Sequence, residues 1–146
     1  MSQNALSITF PNRLAEIGKA AELIEAFGAT HGVSPDVVFN LNLALDEVVT
    51  NIISYAYADG AEHQIGVRVA LDGDGVTVRV EDDGRAFNPL DTPTPDLELD
   101  VEERPIGGLG VHIVRSMMDT LEYRRENDRN ILTMRKRTAP DAGSKG

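Results

Sequence analysis

The sequence predicts a single domain of the α+β class, because it combines segments with the periodicity of strands and segments with the periodicity of helices. Apolar and polar residues alternate over 63–71 and 76–81, as in strands with one buried face. Apolar residues recur every three or four positions over 14–27 and again after Ser34, as in helices packed on a core. A chain of 146 residues is long enough for one core and too short for two.

The first strand and helix have recognisable start and stop signals. A short strand is predicted over 6–10, and Asn12 is the expected N-cap of the helix that follows. In that helix the apolar positions form one stripe, made of Leu14, Ile17, Ala21, Ile24 and Phe27. We expect the helix to end at the glycines at positions 28 and 32.

A second, longer helix and a hairpin follow. Ser34 before Pro35 predicts an N-cap and a first-turn proline, so a helix is expected from there to about Ala58. Its apolar face is predicted to contain Leu41, Leu45, Val48, Val49, Ile52 and Ala56. The Asp-Gly pairs within 72–75 predict a hairpin turn between the two alternating segments.

The C-terminal part begins with a long irregular stretch. Residues 88–106 contain many acids and four prolines without a sustained period, which predicts a loop about as long as compact domains tolerate without a functional reason. A helix is predicted over 109–118, and strands over 120–125 and 131–136. We expect the domain to span residues 1–137 and the remaining residues, 138–146, to form a disordered tail.

Composition excludes several classes of function. The chain has 14 Lys and Arg against 24 Asp and Glu, and the net charge of −10 repels a phosphate backbone, so we expect no nucleic-acid partner. It has no cysteine, which excludes disulfides and thiolate metal sites. The three histidines have no ligand spacing and are interpreted as surface or packing residues. No signal pattern and no apolar run near the ~20 residues of a membrane span are evident, so a cytoplasmic protein is expected.

The long helix carries the first candidate site residues. Glu47 and Asn51 lie one helical turn apart and away from the centre of its apolar face. A carboxylate and an amide in this arrangement are able to hold a hydrated cation or a water molecule. An ordinary solvated helix face would show the same pattern.

Asp82 ends the second alternating segment and is the next candidate. An Asp-Asp-Gly turn is a common way to leave a strand, but a carboxylate at a strand end is also able to accept a hydrogen bond from the amino group of a base. Phe87, a few residues further on, either lines that pocket or fills the core.

Glycines stand at the start of the last helix. Gly107, Gly108 and Gly110 would let backbone N–H groups approach an anion there, with the helix dipole favouring negative charge. The stretch has neither the Walker lysine nor the dinucleotide-binding spacing, and a flexible hinge is the alternative interpretation.

In this order the stretches resemble the GHKL ATPases, the superfamily that includes histidine kinases and gyrase. Residues 45–53 (LDEVVTNII) resemble its N box, residues 80–89 (VEDDGRAFNP) its first glycine box and residues 107–114 (GGLGVHIV) its second glycine box. The residues of these boxes are most similar to those of the anti-sigma-factor serine-protein kinases, the RsbW-like branch. The resemblance covers about residues 6–137.

The resemblance implies the fold and the roles of the N-box residues. It implies the Bergerat sandwich, a two-layer fold whose mixed, mostly antiparallel sheet has helices on one face. Glu47 would be the catalytic base. Asn51 would be a ligand of the Mg²⁺ ion, and that ion would bind the triphosphate of the nucleotide. Residues 88–106 would form the lid over ATP.

The glycine boxes would supply the remaining nucleotide contacts. Asp82 would accept the adenine amino group, Gly84 would allow close approach of the nucleotide, and Phe87 would lie beside it. The last contacts would come from Gly107, Gly108, Leu109 and Gly110, of which the glycines cradle phosphate. The first glycine box departs from the family at Ala86, where a second glycine is usual; if that position needs a positive φ, alanine costs about 1 kcal/mol.

Three functions are compatible with these residues. The first is a kinase that phosphorylates a serine of an anti-sigma-factor antagonist and separately binds a sigma factor. The second is a non-catalytic module that uses ATP only to choose its protein partner, and the third is a detached histidine-kinase domain. Glu47 favours the kinase, because a module that only binds ATP has no need of a base there. The oligomeric state is left open, and a homodimer is compatible with the resemblance.

Overall fold

Five strands form one antiparallel sheet in the computed structural model of the chain, which describes residues 4–90 and 110–138 apart from the side chains of 110, 111 and 113. The strands are β1 (Ala5–Pro11), β2 (Gln64–Leu71), β3 (Gly75–Asp82), β4 (Thr120–Glu126) and β5 (Arg129–Arg137). They lie in the order β1-β2-β3-β5-β4, and each of the four pairings is antiparallel. The α+β class predicted from the sequence is confirmed.

Three helices in the described part of the chain make the second layer of the fold. They are α1 (Ala15–His31), α2 (Pro35–Tyr55) and α3 (Gly110–Met117). All six apolar positions predicted for the long helix are buried, and they pack in one core with alternate residues of the strands. On the strands, the core side is formed by Ile65, Val67, Val69, Val76, Val78, Val80, Leu132 and Met134. The other face of the sheet therefore carries the intervening residues.

The predicted cap of α1 is wrong. The N-cap residue is Leu14, and the structure shows no side-chain hydrogen bond at that position. Asn12 instead accepts a hydrogen bond from the backbone N–H of His63 through Oδ1, at 3.0 Å. The side chain of Asn12 therefore binds a residue far along the chain and not the first turn of α1.

The ends of the two long helices also differ from expectation. Gly28 lies inside α1, where an added Cβ would come within 2.6 Å of Val38 Cγ2, so it provides the close approach of α2. Gly32 is the C-cap, with a left-handed φ of 74°, as predicted. The second helix begins as expected, since Ser34 Oγ accepts a hydrogen bond from the N–H of Val37, but it ends at Tyr55 rather than near residue 58.

Length and composition alone would allow α2 to cross a membrane. No such segment is expected from the sequence, as stated above. In the structure the helix places eight residues in the interior of the domain, among them Leu45, Val48 and Ile52. Its apolar character is thus explained by the core that it helps to form.

Candidate functional site

Glu47 and Asn51 project from α2 at the edge of the core. Asn51 is fully buried, and its Nδ2 donates a hydrogen bond to the carbonyl of Pro89 at 3.1 Å. Glu47 is half-buried; burial raises its pKa, a hydrogen bond with Asn51 lowers it, and the charge of Asp46 raises it again. The net direction is upward, which makes the carboxylate more basic than an exposed one.

Asp82 lies at the end of β3 on the core side, and its side chain is buried. Its Oδ1 accepts hydrogen bonds from the N–H of Gly84 at 2.9 Å and from Nδ2 of Asn130 at 2.8 Å. The pKa of Asp82 is raised, chiefly by burial and also by the charge of Asp83, while the two hydrogen bonds and Arg125 act in the opposite direction. One carboxylate oxygen is therefore fixed in place.

Asn130 is a site residue that the sequence analysis missed. It lies on β5 directly opposite Asp82, and the residue is 2% exposed. Besides binding Asp82, its Nδ2 donates to the carbonyl of Arg85 at 2.8 Å. Its Oδ1 accepts from Phe87 N–H at 3.1 Å, Tyr123 Oη at 2.6 Å and Arg125 Nη1 at 3.1 Å. One amide thus holds both Asp82 and the chain that follows it.

Gly84 joins the turn after β3 to the end of α2. A Cβ at this position would lie 2.5 Å from the carbonyl oxygen of Ala56 and 2.8 Å from its Cβ. The next residue fastens the same junction, because Arg85 donates from its backbone N to Ala56 O at 2.9 Å and from Nε to Tyr55 O at 2.7 Å. The structure therefore gives a packing reason for glycine here, and the predicted approach of nucleotide to Gly84 stays a prediction.

Alanine at position 86 carries no backbone penalty. Among the described residues other than glycine, positive φ values occur only at Asn127 and Asp128, in the hairpin turn between β4 and β5. The condition under which Ala86 would cost about 1 kcal/mol is thus not met.

Residues 87–90 connect the two halves of the site. Phe87 is half-buried against the core, with its ring centroid 5.7 Å from that of Tyr55. Leu90 is buried in the core, and its carbonyl accepts from Nη2 of Arg115 on α3 at 3.4 Å. Because Asn130 holds Phe87 N–H and Asn51 holds Pro89 O, this segment ties the end of β3 to α2.

The remaining predicted contacts lie at the limit of the described chain. Gly107, Gly108 and Leu109 are outside the described residues, as is the predicted lid from residue 91 onward. Gly110 is the first residue of α3, which agrees with the predicted helix entrance. The predicted tail beyond residue 138 also lies outside the described part.

Three buried oxygen atoms at this site lack a hydrogen-bond partner within the described part of the chain. They are Glu47 Oε2, Asn51 Oδ1 and Asp82 Oδ2. An unpaired buried polar atom costs about 1–3 kcal/mol, so three of them on the residues predicted to bind ATP and Mg²⁺ indicate a site built for a ligand. All three are acceptors and so fit a cation and an amino group.

His63 packs beside the Asp82 turn. Its ring stacks on Tyr57, with 4.5 Å between centroids, and its two nitrogens lie 2.8 Å from Asp59 Oδ2 and 3.2 Å from Asp83 Oδ1. The hydrogen bond with Asp59 is the largest cause of a raised pKa at His63, and burial opposes it. The described residues contain no group of three or more His, Cys, Asp or Glu able to hold a metal ion.

Comparisons with known proteins point to one family. The sequence profile of the histidine kinase-like ATPase domain matches residues 10–136. The chain is 30% identical to serine/threonine-protein kinase BtrW of Bordetella bronchiseptica over 104 residues, which are 71% of this chain and 73% of that protein. It is 29% identical to the anti-sigma F factor of Clostridium beijerinckii over 129 residues, or 84% and 85% of the two chains.

Solved structures share the fold at low sequence identity. A Mycobacterium tuberculosis protein with RsbU and RsbW domains matches 93% of this chain with a TM-score of 0.63 and 15% identity, and the match covers 33% of that longer chain. The histidine kinase domain of a blue-light activated kinase from Erythrobacter litoralis matches 88% of this chain and 62% of its own, with a TM-score of 0.53 and 22% identity. These two likenesses concern the fold alone.

Proposed function

Because the chain belongs to the histidine kinase-like ATPase family, we propose that it is an ATP-dependent serine-protein kinase and an anti-sigma-factor-like regulator. The phosphate acceptor would be a serine of an anti-sigma-factor antagonist, and a sigma factor would be the second partner. The names of the relatives, a serine/threonine-protein kinase and an anti-sigma F factor, support both parts. We further propose that it acts in the cytoplasm.

The observation that carries this proposal is the set of unpartnered oxygens on Glu47, Asn51 and Asp82. ATP would supply the phosphoryl group, with Mg²⁺ offsetting the charge of its phosphates. Asn51 suits the role of Mg²⁺ ligand, since its Nδ2 is fixed by Pro89 O and its Oδ1 is left free. Asp82 suits adenine, since Oδ1 is held by two donors and Oδ2 is left to accept a third hydrogen bond.

Glu47 is the proposed base. In the transfer step the serine hydroxyl of the partner would give its proton to a carboxylate oxygen of Glu47 while its own oxygen bonds to the γ-phosphorus of ATP, and the bond from that phosphorus to the bridging oxygen would break, with ADP as the leaving group. Burial raises the pKa of Glu47, and a base is most effective when its pKa lies near the working pH. Proton acceptance also neutralises a carboxylate that the protein holds partly out of water.

Replacing Glu47 by glutamine tests the kinase directly, because the side chain keeps its shape and loses its charge. Phosphorylation of a co-encoded antagonist candidate should fall by about 10²- to 10⁴-fold, while Mg·ATP affinity measured by calorimetry changes by less than about tenfold. The matched control is Glu22→Gln, the same change at an exposed position of α1, which should leave both quantities unaltered.

Two results would contradict the proposal in different ways. Full phosphoryl transfer by Glu47→Gln would remove Glu47 from the role of base. Absence of transfer by the parent protein to any antagonist candidate, with partner binding still dependent on ATP, would establish the non-catalytic ATP-gated module instead.

A further inference from the structure

The face of the sheet opposite the helices is rich in arginine. The alternation of the strands places there six of the chain's 14 Lys and Arg residues. They are Arg68, Arg79, Arg124, Arg129, Arg135 and Arg137. In a protein with a net charge of −10, such a concentration of cations on one surface needs a local explanation.

The carboxylates of this face do not balance all of its arginines. Arg135 pairs with Asp72 and Asp74 of the hairpin, at 2.5 and 2.8 Å. Arg79 and Arg129 share one carboxylate, since their Nε atoms lie 3.3 and 3.2 Å from the two oxygens of Glu81.

At the β4 edge of this face, Arg124 pairs with Glu126 at 3.6 Å. Arg68, on β2, is exposed. Among the described residues Arg68 has only a long contact, 3.5 Å, from Nη1 to Ser7 Oγ. The group of Arg68, Arg79, Arg129 and Glu81 thus carries three positive charges and one negative, a net +2.

These side chains surround a depression of about 210 Å³, here called the arginine notch. Its floor is Gly66, where an added Cβ would meet nothing within 4 Å. The Ser7 and Thr9 hydroxyls line its β1 side, and Arg68, Arg79, Glu81 and Arg129 line the rest. The notch therefore offers guanidinium and hydroxyl donors around an open space.

The pairing of the strands at the notch lowers the stability of the sheet. Arg68 and Arg79 are direct cross-strand partners in the β2–β3 register. Like charges placed directly opposite each other destabilise a sheet, so stability does not account for this pair.

We propose that the arginine notch binds an acidic segment of a partner protein. Guanidinium groups recognise carboxylates through paired hydrogen bonds, and exposed arginines are frequent in protein interfaces. A second copy docked notch to notch would bring two net-positive surfaces together, and a nucleic acid would be repelled by the overall charge of −10. The inference stands whether or not Glu47 catalyses phosphorylation.

A synthetic peptide of alternating aspartate and serine is a suitable probe, with an asparagine–serine peptide as its neutral match. Fluorescence anisotropy with the full chain should show salt-dependent binding of the acidic peptide alone. The double variant Arg68→Gln/Arg79→Gln should weaken binding about five- to tenfold. The control Arg13→Gln/Lys19→Gln removes the same charge away from the notch and should weaken it less than about twofold.

A third variant tests the shape of the notch. Gly66→Leu keeps every charge and fills the depression, so it should also reduce peptide binding, with circular dichroism checking that each variant is folded. Equal weakening by both double variants would show a general charge effect and overturn the proposal. Unchanged peptide binding with an altered sedimentation coefficient of Arg68→Gln/Arg79→Gln would overturn it in favour of self-association.

Discussion

Replacing Asn130 by aspartate would test whether this amide holds the Asp82 half of the site. Aspartate has nearly the same shape, but it offers an oxygen where Nδ2 of Asn130 now donates to Asp82 Oδ1 and Arg85 O, both at 2.8 Å. Two hydrogen bonds are lost, and acceptors face each other in a buried place. The other carboxylate oxygen replaces Oδ1 of Asn130, so it still accepts hydrogen bonds from Phe87 N–H and Tyr123 Oη.

The expected cost follows from these contacts. An unsatisfied buried group costs about 1–3 kcal/mol, and two carboxylates sharing one site repel, so we expect a loss of about 3–5 kcal/mol near neutral pH. The free energy of unfolding of a typical domain is about 5–15 kcal/mol, so the variant should still fold.

The cost should depend on pH in a definite direction. Burial already raises the pKa of Asp82, and a second carboxylate would raise the apparent pKa of the pair further. A raised folded-state pKa gives stability that is present below the unfolded value of about 3.9 and is lost as pH rises through the folded value. A protonated carboxyl also restores one of the two donated hydrogen bonds, so the penalty should shrink toward about pH 4.5 and be largest near pH 8.

Urea denaturation followed by far-UV circular dichroism at several pH values measures this penalty against the parent protein. The control is Asn127→Asp, the same chemical change at an exposed position of the β4–β5 turn, where the residue has a positive φ of 54° that aspartate tolerates. We expect the control to change stability by less than about 0.5 kcal/mol. Equal effects of the two variants, or a penalty at position 130 that does not vary with pH, would refute the reasoning.

Two further predictions concern the turn that follows β3. Gly84→Ala should destabilise the protein by about 1–3 kcal/mol in urea denaturation, because its Cβ would lie 2.5 Å from Ala56 O. The control is Gly18→Ala on α1, where no atom lies within 4 Å of the new Cβ, and it should stabilise the protein by about 0.5–1 kcal/mol. Asp82→Asn should lose the preference for ATP over GTP in calorimetry, because only an acceptor at Oδ2 selects the adenine amino group; equal binding of both nucleotides by the parent protein would remove Asp82 from that role.

Periodicity predicted the elements of the fold well, because it reports which residues each element buries. The six apolar positions predicted for the long helix are all in the core, five of them on α2 and Ala56 at its C-cap. Each of the predicted strands is present within one or two residues at its ends. The roles of Asn12 and Asn130 depend on partners far along the chain and were predicted wrongly or missed. Asn130 precedes the predicted strand 131–136 and follows a polar, turn-like stretch in which asparagine is common, so no local signal distinguished it. Its role depends on the β3–β5 register, which no local pattern contains.

The pairing of Asp82 with Asn130 also sets a time order for synthesis of the protein. The two residues are 48 positions apart, and β5 is the last strand of the sheet. When α2 and β3 have emerged from the ribosome, the chain already contains Glu47, Asn51 and Asp82. Asn130, which orients Asp82, has not yet emerged. If Asp82 binds adenine as proposed, nucleotide would be unable to stabilise the nascent domain through that contact until β5 has left the ribosome and docked beside β3.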